Sequence, residues 1–360
     1  MKISHLLNHA QKANGHVHVA VDLACEQAAQ GHEVVLMAGP NDFAEPLERH
    51  GVRYVGLPAS KARDTGRRID AVRSLPNVAV FAAKYFYQHR PDIIHSHMPR
   101  SALLAWATGG VQGVPLVSSV HNSFDRQARL MGFADRVVCV SDAVSRHMAQ
   151  RGVSARKLRT VYNGTSGSAR LSERPQAMAG VQTPAIACVA GLHGRKAVDD
   201  LIRAADMLMR EHPKVHFYIA GSGPDAPSLK EQARATCAPE RIVFVGHLPD
   251  PRALLQACDI FALASLSDPF PLVILEALEE GCAVVATDVD GIPEALDFGQ
   301  SGVLVPPRAP AELYKALSRI LAAPAELARL KAAALTRSKA FSVARMAAQY
   351  VDIYRELLAR

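Results

Sequence analysis

Short apolar runs alternate with helical patterns along this chain, stop once, and then resume; no other feature restricts its fold as strongly. Ile3 to Leu7, Val34 to Met37, Val52 to Leu57, Asp92 to His95, Leu116 to His121 and Arg136 to Ser141 read as strands. Segments of period 3.6 lie between them: about His18 to Ala29 with a stop at Gly31, Asn77 to His89, Ser101 to Thr108, and a helix capped by Ser141 or Asp142. Strands that take turns with helices pair in parallel, because each crossover must travel back over the sheet. The pattern ends at Val161-Tyr162-Asn163-Gly164. Residues 165–184 are rich in Ser, Gly and Pro, have no periodicity, and read as a linker.

Beyond the linker the alternation returns, with strands at Ala185–Ala190, Val215–Ala220, Arg241–Gly246, Asp259–Ala264 and Val303–Val305, and a helix at Val198–Arg210. The tail from Ala311 is helical, and its last segment, Phe341 to Leu358, puts Met346, Tyr350, Ile353, Tyr354 and Leu357 on one face. The expected class is α/β: a domain at 1–164, the linker 165–184, a second domain at 185–340, and a terminal helix at 341–360. Two such halves hold a ligand most naturally between them, at the carboxyl ends of the strands.

Six scattered cysteines with no CxxC pair read as reduced core thiols of a cytoplasmic protein. The opening MKISHLLNHAQ has no continuous apolar core, so no secretory leader is expected, and no window is apolar enough to span a membrane. Charge is uneven. Residues 1–180 carry 22 Lys and Arg against 13 Asp and Glu, whereas residues 181–360 carry 19 against 21. A basic first half suits an anionic partner, such as a membrane surface reached through Lys61, Arg63, Arg67, Arg68 and Arg73. The segment Lys61 to Arg73 itself reads as a loop or exposed helix. Nucleic acid is not expected, since the basic residues are not interleaved with aromatics.

The chemistry concentrates between Ser265 and Glu294. Pro271 suits a first helical position, Asp268 reads as the cap before it, Gly281 closes the helix, and Ala283 to Ala286 follows as a buried strand. A helix start is an anion site, and Asp268 and Glu276 beside it could accept hydroxyls. Other motifs point elsewhere only weakly. Gly221-Ser222-Gly223-Pro224 lacks the third glycine of a dinucleotide turn and reads as a tight strand-to-helix turn. His95-Ser96-His97 has no carboxylate or cysteine cluster near it in sequence. Asp288-Val289-Asp290 leads directly into Gly291-Ile292-Pro293 and reads as a turn, so no metal site is expected.

The stretch 267–296, SDPFPLVILEALEEGCAVVATDVDGIPEAL, resembles the paired-acid signature of retaining family 4 glycosyltransferases, which have the GT-B architecture. The resemblance runs through nearly the whole chain: Asn14-Gly15, Gln30-Gly31-His32-Glu33-Val34, Pro91 to His97, Ser119-Val120-His121, Ala134 to Val138, Tyr162-Asn163-Gly164, Gly221 to Pro224, Phe244-Val245-Gly246 and Ala257 to Ile260 occur in the family's order. It implies two Rossmann-like domains facing a cleft, with the final helix crossing back to the first. It also implies a nucleoside-diphosphate-sugar donor as co-substrate, held without a metal or other cofactor. Glu276 would accept the ribose hydroxyls and Asp268 those of the sugar. Backbone N–H groups at Phe270, Leu272 and Val273 would face the diphosphate, and Lys196 would stabilise the leaving group. Val245 and His247 would border the base. Gly15 would allow close phosphate approach, and His121 would lie beside the transferred sugar. Gly221 belongs to the same donor-binding set. Asp268 stands where the family usually has Glu, Pro271 replaces a frequent glycine, and Gly191 holds an arginine position, with Arg195 nearby as its substitute. The acceptor would be a glycan or lipid-linked sugar. A nucleotide-sugar epimerase and a non-catalytic nucleotide-sugar-binding module are the alternatives.

Overall fold

The computed structural model of the chain describes residues 1–12, 15–58, 68–122, 126–171 and 173–359, with their side chains except at 68–75 and 126. Asn14, Lys61, Arg63 and Arg67, and the side chains of Arg68 and Arg73, lie outside the described residues. The chain forms two compact units, Met1–Ser172 with Val343–Arg360, and Glu173–Ser342. The stretch 165–184 is shared between them. Ser168 is buried in the first unit and donates to Asp22 at 2.8 Å, whereas the Met178 N–H donates to Ala253 O at 2.7 Å in the second.

In the first unit, β1 (Lys2–Leu6), β2 (Glu33–Ala38), β3 (Arg53–Gly56), β4 (Ile93–His97), β5 (Leu116–Val120), β6 (Arg136–Cys139) and β7 (Leu158–Thr160) form one sheet. Its order is β3-β2-β1-β4-β5-β6-β7, with every pairing parallel. β4 and β5 are buried along their whole length, as strands covered by helices on both faces must be. The helix Arg68–His89 starts well before the expected Asn77. It runs through Pro76, at the loss of one backbone hydrogen bond, so that proline is no boundary here. Ser141 caps the helix Asp142–Gln150 by accepting from the Val144 N–H at 3.2 Å.

The final helix, Val343–Leu358, belongs to this unit. Met346, Ala347, Tyr350, Ile353, Tyr354 and Leu357 are its buried stripe. Tyr350 and Tyr354 carry hydroxyls into the interior, and both find partners there, Ser119 for one and His95 for the other. Glu356 anchors the solvent side, accepting from buried Arg136 at 2.6 Å and from Arg159 at 2.9 Å.

The second unit holds β8 (Ala185–Val189), β9 (His216–Ala220), β10 (Ile242–Gly246), β11 (Ile260–Leu263), β12 (Ala283–Thr287) and β13 (Val303–Val305). The order β10-β9-β8-β11-β12-β13, again all parallel, repeats the doubly wound pattern of the first unit. In each sheet the order reverses beside the first strand, between β1 and β4 and between β8 and β11. The crevice at the carboxyl ends of such a pair is where open α/β sheets take their ligands.

Five cysteines are buried free thiols and Cys237 is an exposed one. Among the described residues no helix is long and apolar enough to cross a membrane.

Candidate active site

The glycine turn after β9 lies beside the carboxyl end of β8, next to the second unit's switch point. A Cβ at Gly221, whose φ is +137°, would lie 1.9 Å from Ala190 O, and one at Gly223 would lie 2.1 Å from Leu192 O. These glycines let two loops touch through their backbones. The Ala190 N–H donates to Ala220 O at 3.0 Å and the Leu192 N–H to Ser222 O at 2.9 Å. The motif is a loop clasp between the segments after β8 and β9. Gly221 also donates to Gly246 O at 2.7 Å, which ties the turn to the end of β10, where Val245 is half-buried and His247 exposed.

The clasp holds the segment Gly191–Ala197. A short 3-10 turn, Gly194–Lys196, ends at Ala197 in the left-handed region with φ +45°, a conformation an alanine adopts only when its surroundings impose it. Lys196 emerges from this turn and forms an ion pair with Asp268, and both side chains are nearly buried. Arg195 lies on the same turn, and its guanidinium donates to Ser267 O while its own carbonyl accepts from the Leu266 N–H at 2.8 Å. The arginine expected to reach a phosphate therefore also ties down the loop after β11. A Cβ at Gly191 would meet the His193 ring at 3.1 Å, so that imidazole fills the space a side chain at 191 would enter. Burial, then the charges of Arg195 and Lys196, lower His193 from the ordinary histidine value, against the opposing pull of Asp225 and Asp268.

The expected cap on the next helix is corrected by the structure. The helix is Leu272–Glu279, and Pro271 is its extended N-cap at φ −71°, ψ 121°, not its first helical residue. Asp268 makes no cap hydrogen bond, because its carboxylate is taken by Lys196. The first-turn N–H groups of Leu272 and Val273 remain at that end, the usual orphan donors of a helix start. Gly281, at φ +73°, terminates the helix as expected. Glu276 lies one turn in and is buried, as are Phe270 before the helix and Glu294 in the following helix Ile292–Ala295.

Asp290 holds Asp268 in place, a role missed in the sequence. Its carboxylate accepts from the Asp268 N–H at 2.8 Å and from Ser267 Oγ at 2.6 Å, with its backbone at φ +47°. Asp288 is exposed. The Asp-Val-Asp sequence is thus a turn whose second acid braces the loop that carries the first acid of the site.

In the first unit, Gly15 opens the helix Gly15–Ala29, and His121 follows β5. His121 lies against two more rings: its Nε2 is 3.1 Å from His97 Nδ1, and its centroid is 6.0 Å from that of His16. Met98, which follows β4 directly after His97, has φ +81° and ψ 155°, a strained conformation for a residue with a side chain.

The family model for Glycosyltransferase Family 4 matches residues 13–166, and that for Glycosyl transferases group 1 matches residues 183–323. The D-inositol 3-phosphate glycosyltransferase of Saccharomonospora viridis is 31% identical over 307 residues, covering 74% of this chain and 70% of that protein. The chain belongs to glycosyltransferase family 4, group 1. The glycogen synthase of Mycobacterium tuberculosis is 31% identical over 271 residues, 69% of this chain, and the match spans 64% of that longer protein. HepE (Alr3699) of Anabaena, solved with UDP, superposes with a TM-score of 0.82 at 21% identity, over 99% of this chain and all of that one. The fold of this family 4 member is accordingly GT-B, built from two parallel-sheet α/β domains.

Proposed function

We propose that this protein transfers a sugar from a nucleoside diphosphate sugar, most simply a UDP-sugar, to a hydroxyl of a glycan or lipid-linked acceptor, with retention at the anomeric carbon. The observation that carries the reading is the cluster at the β8–β11 crevice: Lys196 paired with Asp268, Asp268 braced by Asp290, and buried Glu276 one turn into the adjoining helix. HepE of Anabaena, solved also with UDP-glucose at a TM-score of 0.80, supports a uridine donor.

In this reading the Glu276 carboxylate accepts both ribose hydroxyls, a match of two acceptor oxygens to two donors. The N–H groups of Leu272 and Val273 and the start of their helix face the diphosphate. As the bond between the anomeric carbon and the phosphate oxygen breaks, the electron pair goes to the diphosphate, where the Lys196 ammonium meets the growing charge. The departing phosphate oxygen takes the proton of the acceptor hydroxyl, whose oxygen forms the new bond on the same face. Asp268 accepts sugar hydroxyls, and His121 lies beside the transferred sugar. No metal is required, because a cation and a helix terminus supply the stabilisation a metal would give. The basic first half suits a lipid-linked acceptor at an anionic membrane surface on the cytoplasmic side, as in cell-surface polysaccharide assembly.

Purified protein incubated with UDP- and GDP-sugars and candidate acceptors tests this. Release of nucleoside diphosphate together with an α-linked product from an α-linked donor is expected. Interconversion of the donor with no acceptor present would establish an epimerase instead. Tight donor binding without turnover would establish a binding module.

A further inference from the structure

The first unit contains a buried polar network that the transfer scheme does not use. His5 on β1 is the cross-strand partner of His95 on β4, and His97 lies two residues on, paired in register with Ser119 of β5. All four are buried. Gln27, from the helix Gly15–Ala29, and Tyr354 and Tyr350, from the terminal helix, close over them and are buried as well. His5 Nε2 is 2.8 Å from Gln27 Oε1, His5 Nδ1 is 3.1 Å from His97 Nε2, and His97 Nδ1 is 3.1 Å from His121 Nε2. On the other side of the amide, Gln27 Nε2 donates to the Tyr354 hydroxyl at 3.2 Å, and that hydroxyl is 2.6 Å from His95 Nδ1. His95 Nε2 is 2.7 Å from Ser119 Oγ, which is 2.6 Å from the Tyr350 hydroxyl.

A neutral imidazole has one N–H and one lone pair, so a chain of imidazoles has a direction. Burial keeps these rings neutral: His5 is lowered to about 4, His121 to about 3, and His95 and His97 well below the ordinary value. Only Gln27 has a donor end and an acceptor end that no proton can exchange. Its Oε1 accepts, so His5 carries its proton on Nε2 and its Nδ1 accepts from His97. His97 then holds its proton on Nε2, and its Nδ1 accepts from His121. The distances agree with this orientation of the amide. The 2.6 Å contact at His95 suits a phenol donating to nitrogen, and the 3.2 Å contact suits an amide N–H donating to the phenol oxygen.

We propose that Gln27, acting through His5 and His97, fixes the tautomer of His121, holding its proton on Nε2 and leaving Nδ1 as an acceptor for a substrate hydroxyl. Gln27, His5 and His97 are positioning residues. The acceptor role rests on the reading of His121 as a sugar contact, whereas the tautomer does not. The ligand atoms of His5, His95 and His97 also lie within 4.8 Å of one another. Their nitrogens, however, are already matched to each other, to Gln27, to Tyr354 and to Ser119, which accounts for the rings without a metal.

Long-range proton–nitrogen correlation spectra of the full-length 15N-labelled protein at neutral pH read the tautomers directly, with the His121 ring assigned by its loss in His121→Asn. His5, His97 and His121 are expected as Nε2–H tautomers. Gln27→Glu, whose carboxylate still accepts from His5, keeps them so. Gln27→Met removes the fixed acceptor, and the Nε2–H preference of His121 falls by about tenfold or more. His121 with its proton on Nδ1 in the unaltered protein, an unchanged ratio in Gln27→Met, or ring signals moved by added zinc would each overturn the proposal. If Gln27→Met does not fold, the unaltered protein and Gln27→Glu decide. Unchanged transfer by His121→Ala would remove the substrate role of this ring and leave the tautomer result standing.

Discussion

Acid should unfold the first unit at a pH where few other groups titrate. An unfolded histidine binds its proton near pH 6.5, whereas His5 in the fold waits until about 4 and His121 until about 3, with His95 and His97 also far below 6.5. The unfolded state therefore binds more protons, and stability is complete above about pH 6.5 and is lost as the pH falls towards 4. Between pH 7.5 and 5.5 each such ring costs about 1 kcal/mol or a little more, so the four together cost on the order of 5 kcal/mol. That is a large share of the ~5–15 kcal/mol that stabilises an ordinary domain. The chain's one tryptophan, Trp106, is half-exposed in the first unit and stacks on Phe133 at 5.1 Å, so its fluorescence follows this unit alone. Urea titration by that signal should show a midpoint about 2 M lower at pH 5.5 than at pH 7.5. Equal midpoints would mean that the rings are hydrated or already charged in the fold, and the network as described would be wrong.

Gly221→Ala forces a methyl group onto Ala190 O at a backbone angle alanine resists, and should lower stability by about 2–4 kcal/mol by thermal or urea unfolding, with loss of transfer. Asp290→Ala leaves the Asp268 N–H without its acceptor and frees the loop; kcat should fall by about tenfold or more, with a smaller change in the affinity for free UDP. Gly191→Arg must push aside the His193 ring, and should raise affinity for UDP by several-fold if the incoming guanidinium reaches the diphosphate, as read by calorimetry.

The architecture is legible because most strands of these buried parallel sheets carry a short apolar run, and the sequence pattern locates every strand except β7. What escaped was short or polar. β7 is the three residues Leu-Arg-Thr, too brief for periodicity, and the helix Ala44–Arg49 has one buried residue. The sequence pattern puts Pro271 one position too far into its helix, because Asp268 has the form of a local cap. Its real partner, Lys196, is 72 residues away. Likewise nothing local marks Asp290 as a brace, since it acts on a loop 22 residues earlier. The buried network was invisible for the same reason: His5 meets Gln27 across 22 residues and Gln27 meets Tyr354 across 327. A lone histidine in a strand carries no sign of the ring on the neighbouring strand. Periodicity assigns the tyrosines of the last helix to an apolar face, although their hydroxyls are what that face delivers.

The assignment of the crevice in the second unit to a nucleotide depends most directly on Glu276. Calorimetric titration of UDP into the unaltered protein and into Glu276→Ala measures it, with 2′-deoxy-UDP as the control. Loss of two charge-assisted hydrogen bonds to the ribose should weaken UDP by about tenfold to a hundredfold, and the difference between the two proteins should shrink with the deoxynucleotide. Equal affinity of both proteins for UDP would contradict the placement of the nucleotide at this helix.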